Sequence, residues 1–171
     1  LTKLKPLLEN PGKHKLGQHL KYDAHVLANH GISLQGIRHD TMLESYVLNS
    51  TATKHNMDDI AKHYLGVATI HYEDITGKGA KQIPFQEVSL EQAAEYAAED
   101  ADITLQIHQT LINKLEQEPS LLKLYEDIEI PLINVLTRIE ANGVLIDSAM
   151  LAQQSMEIAS KVISIEQHAH N

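Results

Sequence analysis

Cysteine is absent from the 171 residues. That excludes a disulfide framework and any thiolate metal site, and it makes a reducing, cytoplasmic compartment the expected setting. No apolar run approaches the roughly 18 residues that span a bilayer, so a membrane protein is not expected. An initiator Met is missing, and Leu1-Thr2-Lys3-Leu4-Lys5-Pro6-Leu7-Leu8 has none of the basic, apolar and small-residue regions of a signal peptide. The opening reads as the interior of a longer protein. Basic residues are scarce as well: 14 Lys and Arg stand against 23 Asp and Glu, a formal charge of −9. The basic footprint of a stand-alone nucleic-acid binder is therefore lacking. A site built of carboxylates and divalent cations shows the same sign of charge. The 43% hydrophobic and 22% charged residues suit a soluble globular chain with a sizeable core.

The pattern alternates short strands and helices, an α/β arrangement. Lys15-Leu16-Gly17 reads as a strand and His19 to about His30 as a helix, with Leu20, Val26 and Leu27 on one stripe and Gly31 as the stop. Ile37 to Asp40 reads as the next strand, and Thr41-Met42-Leu43-Glu44 as a capping box opening a helix through Leu48. A short helix starts at Asn56-Met57-Asp58-Asp59-Ile60 and ends near Leu65-Gly66. Between Gly66 and Val88 periodicity fades, which predicts a long exposed connection. Ser89-Leu90-Glu91-Gln92 caps the longest helix, running to about Leu115. Glu116-Gln117-Glu118-Pro119-Ser120 is a polar break, placed here as a domain boundary between residues 1–118 and 119–171. Asn142-Gly143 then marks a turn before Val144-Leu145-Ile146, with Asp147 or Ser148 as the cap of a last helix.

Tyr96 and Asp100 lie four apart on the long helix, so they project from one face a turn apart. Around them Glu95-Tyr96-Ala97-Ala98-Glu99-Asp100-Ala101-Asp102 combines small residues with clustered acids. On helix statistics alone this is a solvated acidic face. Asp23 follows Gly17-Gln18-His19-Leu20-Lys21-Tyr22 near the start of its helix, where the helix dipole favours a carboxylate for structural reasons. Eleven histidines show no metal-ligand spacing on any one helix, which favours surface or capping roles. Gly77-Lys78-Gly79-Ala80-Lys81 lacks a phosphate-loop pattern and reads as a flexible loop.

Taken together, Gly-Gln-x-Leu-Lys-Tyr-Asp around Asp23 and Tyr-Ala-Ala-Glu-Asp-Ala-Asp around Asp100 resemble the second and third motifs of the proofreading 3′ to 5′ exonuclease domain of bacterial, family-A DNA polymerases. Asp40-Thr41-Met42-Leu43-Glu44-Ser45-Tyr46 is similar to the same family. Ile128 to Ile133 and Arg138 to Val144 resemble the opening of its polymerase domain; Ser155 to Asn171 is weakly matched. The resemblance implies a ribonuclease-H-like α/β exonuclease fold, truncated at its N-terminus, followed by an α-helical start of a polymerase domain. It also implies two divalent cations, Mg or Mn with Zn as a further candidate, since hydrolysis of a phosphodiester is served by a metal pair and hard cations take oxygen ligands.

By carry-over, Asp100 binds the tighter metal, Asp23 holds the second largely through water, and Tyr96 orients the attacking water. Gln18, His19 and Tyr72 contact a single-stranded DNA 3′ end, Tyr72 by stacking on a base. His19 departs from the family, which has asparagine there. The family's first motif, an Asp-x-Glu on the first strand, is expected upstream of Leu1, so the isolated chain is expected to be inactive or nearly so. Asp127-Ile128-Glu129 does not replace it, because residues two apart on a helix point about 200° apart. The partners implied are DNA and the remaining polymerase domain of the same parent chain. Two other readings stay open: an exonuclease fold without catalysis that supports the polymerase, and a helical interaction module unrelated to nucleic acid.

Overall fold

The computed structural model describes residues 1–170, in two compact units, residues 1–141 and residues from 142 on. In the first unit a short helix α1, Lys5–Leu8, precedes β1, Lys15–Gly17, and α2, Leu20–Ala28; then come β2, Ile37–Asp40, and α3, Thr41–Leu48. The strands pair in parallel, Leu16 opposite His39 and Gly17 opposite Asp40, with α2 as the crossover. Parallel pairing requires such a crossover, and the α/β pattern read from sequence is present as a small two-stranded sheet under many helices. Gly17 is required where it stands, because a side chain there would run into the buried Leu20. Gly31, at φ 70°, ends α2 as expected.

The start of α3 differs from expectation. Its N-cap is Asp40, whose carboxylate accepts from the Met42 and Leu43 amides at 3.0 and 3.4 Å. The same side chain accepts from His19 N at 3.1 Å and Leu20 N at 2.7 Å, so one buried aspartate caps α3 and fixes the entry to α2. Glu44 is not half of a capping box, since it turns inward and is fully buried.

Helix α4, Met57–Ile60, runs into a π-helical turn, Ala61–Leu65, and stops at Gly66. The stretch 66–88 is more structured than the fading periodicity suggested. It holds α5, Tyr72–Thr76, and single 3₁₀ turns at Gly79–Lys81 and Phe85–Glu87, pinned by Thr69 and Thr76, both buried. Helix α6, Leu90–Leu115, begins at Ser89, whose hydroxyl accepts from Gln92 N. Its second half carries Ile103, Ile107, Leu111 and Leu115, a one-faced stripe buried against Ile60, Ala61, Tyr125 and Ile133.

The compact packing does not break at Glu118. Helix α7, Pro119–Leu124, a π-helical turn, Tyr125–Glu129, and α8, Ile130–Asn142, stay against α3 and the end of α6, with Tyr125 only 1% exposed. Lys21 and His25 of α2 both meet Glu140, and Arg38 meets Glu126 at 2.6 Å, which ties α8 and the turn before it to the sheet region. Asp127 and Glu129 lie in that helical turn, as the rejection of an Asp-x-Glu strand there requires. In the second unit, α9, Ser148–His170, is capped by Asp147 through Met150 N at 2.9 Å and buries no residue of its own.

Candidate active site

Two groups of acids stand near the sheet and the first half of α6. At the start of α2, Asp23 lies beside Asp40 and His19; the carboxyl of Asp23 is pushed above its ordinary range by partial desolvation first and by the Asp40 charge second. On α6, Asp100 is pushed up by desolvation, opposed by the Tyr96 hydroxyl and reinforced by Glu99 and Asp58. Tyr96 is pushed up to about 12 by burial and by the Asp100 charge, so its hydroxyl keeps its proton at neutral pH. One oxygen of Asp100, Oδ1, is buried with no hydrogen-bond partner. A buried carboxylate oxygen without a donor is costly unless a cation meets it.

Sequence reasoning missed two members of this group. Asp58, read only as part of a helix start, faces Tyr96 and Asp100 while accepting from Thr69 Oγ1 at 2.7 Å and pairing with His71 Nδ1 at 2.8 Å. Glu99 accepts from Ile70 N at 2.7 Å and so holds the 66–88 connection against α6. Both signals were present in the string, Asp58 as an acid opening a helix and Glu99 in the acidic run, but neither spacing tells which loop folds back.

Three aromatic rings close the other side. Tyr72 and Phe85 are stacked at 6.1 Å, and Tyr96 approaches them at 6.5 and 6.2 Å. Tyr72 and Phe85 remain 44% and 39% exposed, which leaves flat apolar surface beside Asp100. Tyr96, Asp100 and Tyr72 are therefore gathered in one place.

Asp23 keeps company with His19 and Asp40, whereas Asp100 keeps company with Tyr96, Glu99 and Asp58. His19, exposed and in the left-handed conformation at φ 62°, gives its backbone N–H to Asp40. Gln18 is engaged internally: its amide donates to the His55 carbonyl at 2.9 Å and its carbonyl accepts from Thr41 Oγ1. Asp100 and Asp23 themselves offer oxygen donors of the kind that suit hard divalent cations, with the His19 and His71 imidazoles nearby, and one Asp100 oxygen is a free ligand atom.

Comparison with known proteins gives this geometry its context. Residues 1–116 match the family model described as 3′-5′ exonuclease of the DNA polymerase A class. Over its whole length the chain is 56% identical to DNA polymerase I of Pseudomonas aeruginosa, and over 97% of its length 39% identical to that of Rhizobium leguminosarum. It spans about a fifth of those relatives, 19% and 16% of their length. The POL domain of Pol1 from M. smegmatis, solved in complex with DNA primer-template and dNTP, superposes on 99% of the chain with a TM-score of 0.76 at 25% identity, the match covering 26% of that structure. The fold is accordingly ribonuclease-H-like, and the chain belongs to the 3′-5′ exonuclease family of bacterial family-A DNA polymerases.

Proposed function

We propose that this chain carries part of a proofreading exonuclease site, which removes nucleotides from DNA 3′ ends within a larger DNA polymerase. The observation that carries the reading is the buried, unpartnered Oδ1 of Asp100, one helical turn from the Tyr96 hydroxyl, in a chain of the exonuclease family. When bound, a pair of divalent cations, Mg or Mn with Zn as a further candidate, supplies an activated water and Lewis-acid stabilisation of the phosphodiester.

The chain's own residues then divide the work. By the family resemblance, Asp100 would hold one cation directly and Asp23 would hold the second. Tyr96, protonated at neutral pH, donates a hydrogen bond and positions the attacking water without removing its proton. Tyr72, backed by Phe85, offers a face for the 3′-terminal base, a stack that contributes about 1 to 3 kcal/mol. His19 contacts the DNA in place of the family's asparagine, while Gln18 holds the approach to it by bracing His55 and Thr41. Residues 1–118, which take in the matched stretch 1–116, are the exonuclease part and 119–171 the beginning of the polymerase part, the two packing together as far as residue 141. The partners are then a single-stranded DNA 3′ end and the rest of the polymerase. Among the described residues no helix is long and apolar enough to cross a membrane.

The test is Asp100→Ala in the intact polymerase. Digestion of a labelled 3′ end falls by at least about 100-fold, a loss of the size seen when a transition-state-stabilising group is removed, while primer extension stays near normal. Undiminished digestion refutes the assignment. One observation favours a second reading, a scaffold without catalysis: Asp23 and Asp100 have separate neighbours. That reading predicts no 3′ digestion by the unmutated polymerase in Mg²⁺ or Mn²⁺.

A further inference from the structure

The histidines do converge, although not along one helix. His39 on β2, Glu44 on α3 and His108 on α6 bring a ligand atom each within 4.8 Å of the other two. Glu44 Oε1 accepts from His108 Nδ1 at 2.7 Å and lies 3.5 Å from His39 Nδ1, and the two imidazole centroids are 4.2 Å apart with the rings tilted by 45°. Glu44 is completely buried, its Oε2 has no partner, and neither has His39 Nδ1. A buried carboxylate with a free oxygen, beside an imidazole nitrogen that is also free, is two unsatisfied groups in one place.

We propose that His39, Glu44 and His108 bind a single divalent cation of the zinc class, distinct from the carboxylate site around Asp100 and serving to brace β2, α3 and α6. Two imidazoles and a carboxylate, with no thiolate, form the donor set that zinc and cobalt accept and that Mg²⁺ does not prefer. A tetrahedral ion with bonds near 2.0 to 2.1 Å sets its ligand atoms about 3.3 Å apart. The observed 2.7 and 3.5 Å from Glu44 to the two imidazoles lie on either side of that spacing, and the third pair lies within 4.8 Å, so the three side chains need to adjust and the backbone elements already stand at the right separation. Entry is open, because the His39 and His108 side chains are 24% and 15% exposed while Glu44 is not exposed at all.

The ion replaces the Nδ1 proton of His108 and leaves Tyr125 as the outer support, its hydroxyl donating to Glu44 Oε1 at 3.1 Å and accepting from Asp40 N at 3.0 Å. The competing occupant is a proton on His39 Nδ1, which would meet Glu44 Oε1 without any metal and leave Oε2 unpartnered.

The experiment uses the metal-stripped chain carrying Asp23→Asn and Asp100→Asn, so that the carboxylate site is silent, titrated with Co²⁺. One equivalent binds and produces a visible d–d band. Adding His39→Phe or His108→Gln weakens binding by at least about tenfold, with circular dichroism showing that each variant keeps its helix content. X-ray absorption of the zinc-loaded protein, which needs no further variant, shows imidazole nitrogens in the first shell. The proposal is overturned by no bound equivalent, by affinity unchanged in both histidine variants, or by a first shell of oxygen alone. A proton on His39 as the occupant gives the first of these results.

Discussion

The two halves of α6 do opposite things with similar raw material. From Ile103 to Leu115 the helix puts an aliphatic side chain into the core at every fourth position, and four of these are at most 5% exposed. From Leu90 to Asp102 it buries nothing fully, and Leu90 itself is 80% exposed. Here small alanines alternate with Glu95, Glu99, Asp100 and Asp102, and the only large ring is Tyr96. The half that packs is saturated with contacts, while the half that bears the candidate site holds a carboxylate oxygen without a partner. Stability and chemistry are thus separated along one helix, and the site half stays in place because the other half is anchored.

The widest way to break this division is Leu111→Ala. Leu111 is fully buried between Ile107 and the elements around Ile60, and a cavity at such a place costs about 3 kcal/mol, within the 2 to 5 kcal/mol typical of large-to-small core changes. Urea denaturation followed by circular dichroism measures it; a cost below about 1 kcal/mol would mean that the second half is no anchor. Ala97→Ser, in the exposed half, stays within about 0.5 kcal/mol by the same assay.

A smaller effect tests the junction where the core meets the polar network. Tyr125→Phe removes the acceptor of the Asp40 amide and a donor to Glu44, both buried. The expected loss is about 1 to 3 kcal/mol, because the partners are left unsatisfied while the ring volume is kept. Equal stability of the variant would show that water or a cation takes over the hydroxyl's place.

Much of this division was legible in the string. Ser89 with Gln92 declared the start of the long helix and its pattern ran to about Leu115, while the buried stripe of Ile103, Ile107, Leu111 and Leu115 came to light in the fold. Tyr96 and Asp100 were placed on one face by their four-residue spacing alone. What sequence could not supply was every relation between elements. Asp40 and Thr41 are adjacent, and a local capping rule favoured Thr41; the choice went to Asp40 because the same carboxylate also reaches His19 and Leu20 across the sheet.

His39 and His108 are 69 positions apart, so no ligand spacing betrays them, and Glu44 looked like a surface cap until packing turned it inward. The fading pattern between Gly66 and Val88 concealed real structure for the same reason. Its short turns are held by long-range bonds, Glu99 to Ile70 and Asp58 to Thr69 and His71, not by local periodicity.

The finest test of the comparison asks whether the site half is held slightly against its own preference. The folded chain raises Asp100 above its ordinary carboxylate value of 3.8, chiefly through desolvation. A raised acid favours the protonated form in the folded state, so its contribution to stability is fully present below that ordinary value and is lost as pH rises through the raised one. Asp100→Asn mimics the protonated acid. Its melting temperature should therefore equal that of the unmutated chain in acid and exceed it near neutral pH, by an amount worth well under about 1 kcal/mol for a partly screened group. Mn²⁺ should narrow the gap at neutral pH by stabilising the unmutated chain more than the variant, since only there does position 100 offer the cation a charge. A variant that is less stable than the unmutated chain at neutral pH would reverse the sign, and it would mean that Asp100 belongs to the anchoring machinery of the helix and not to its site.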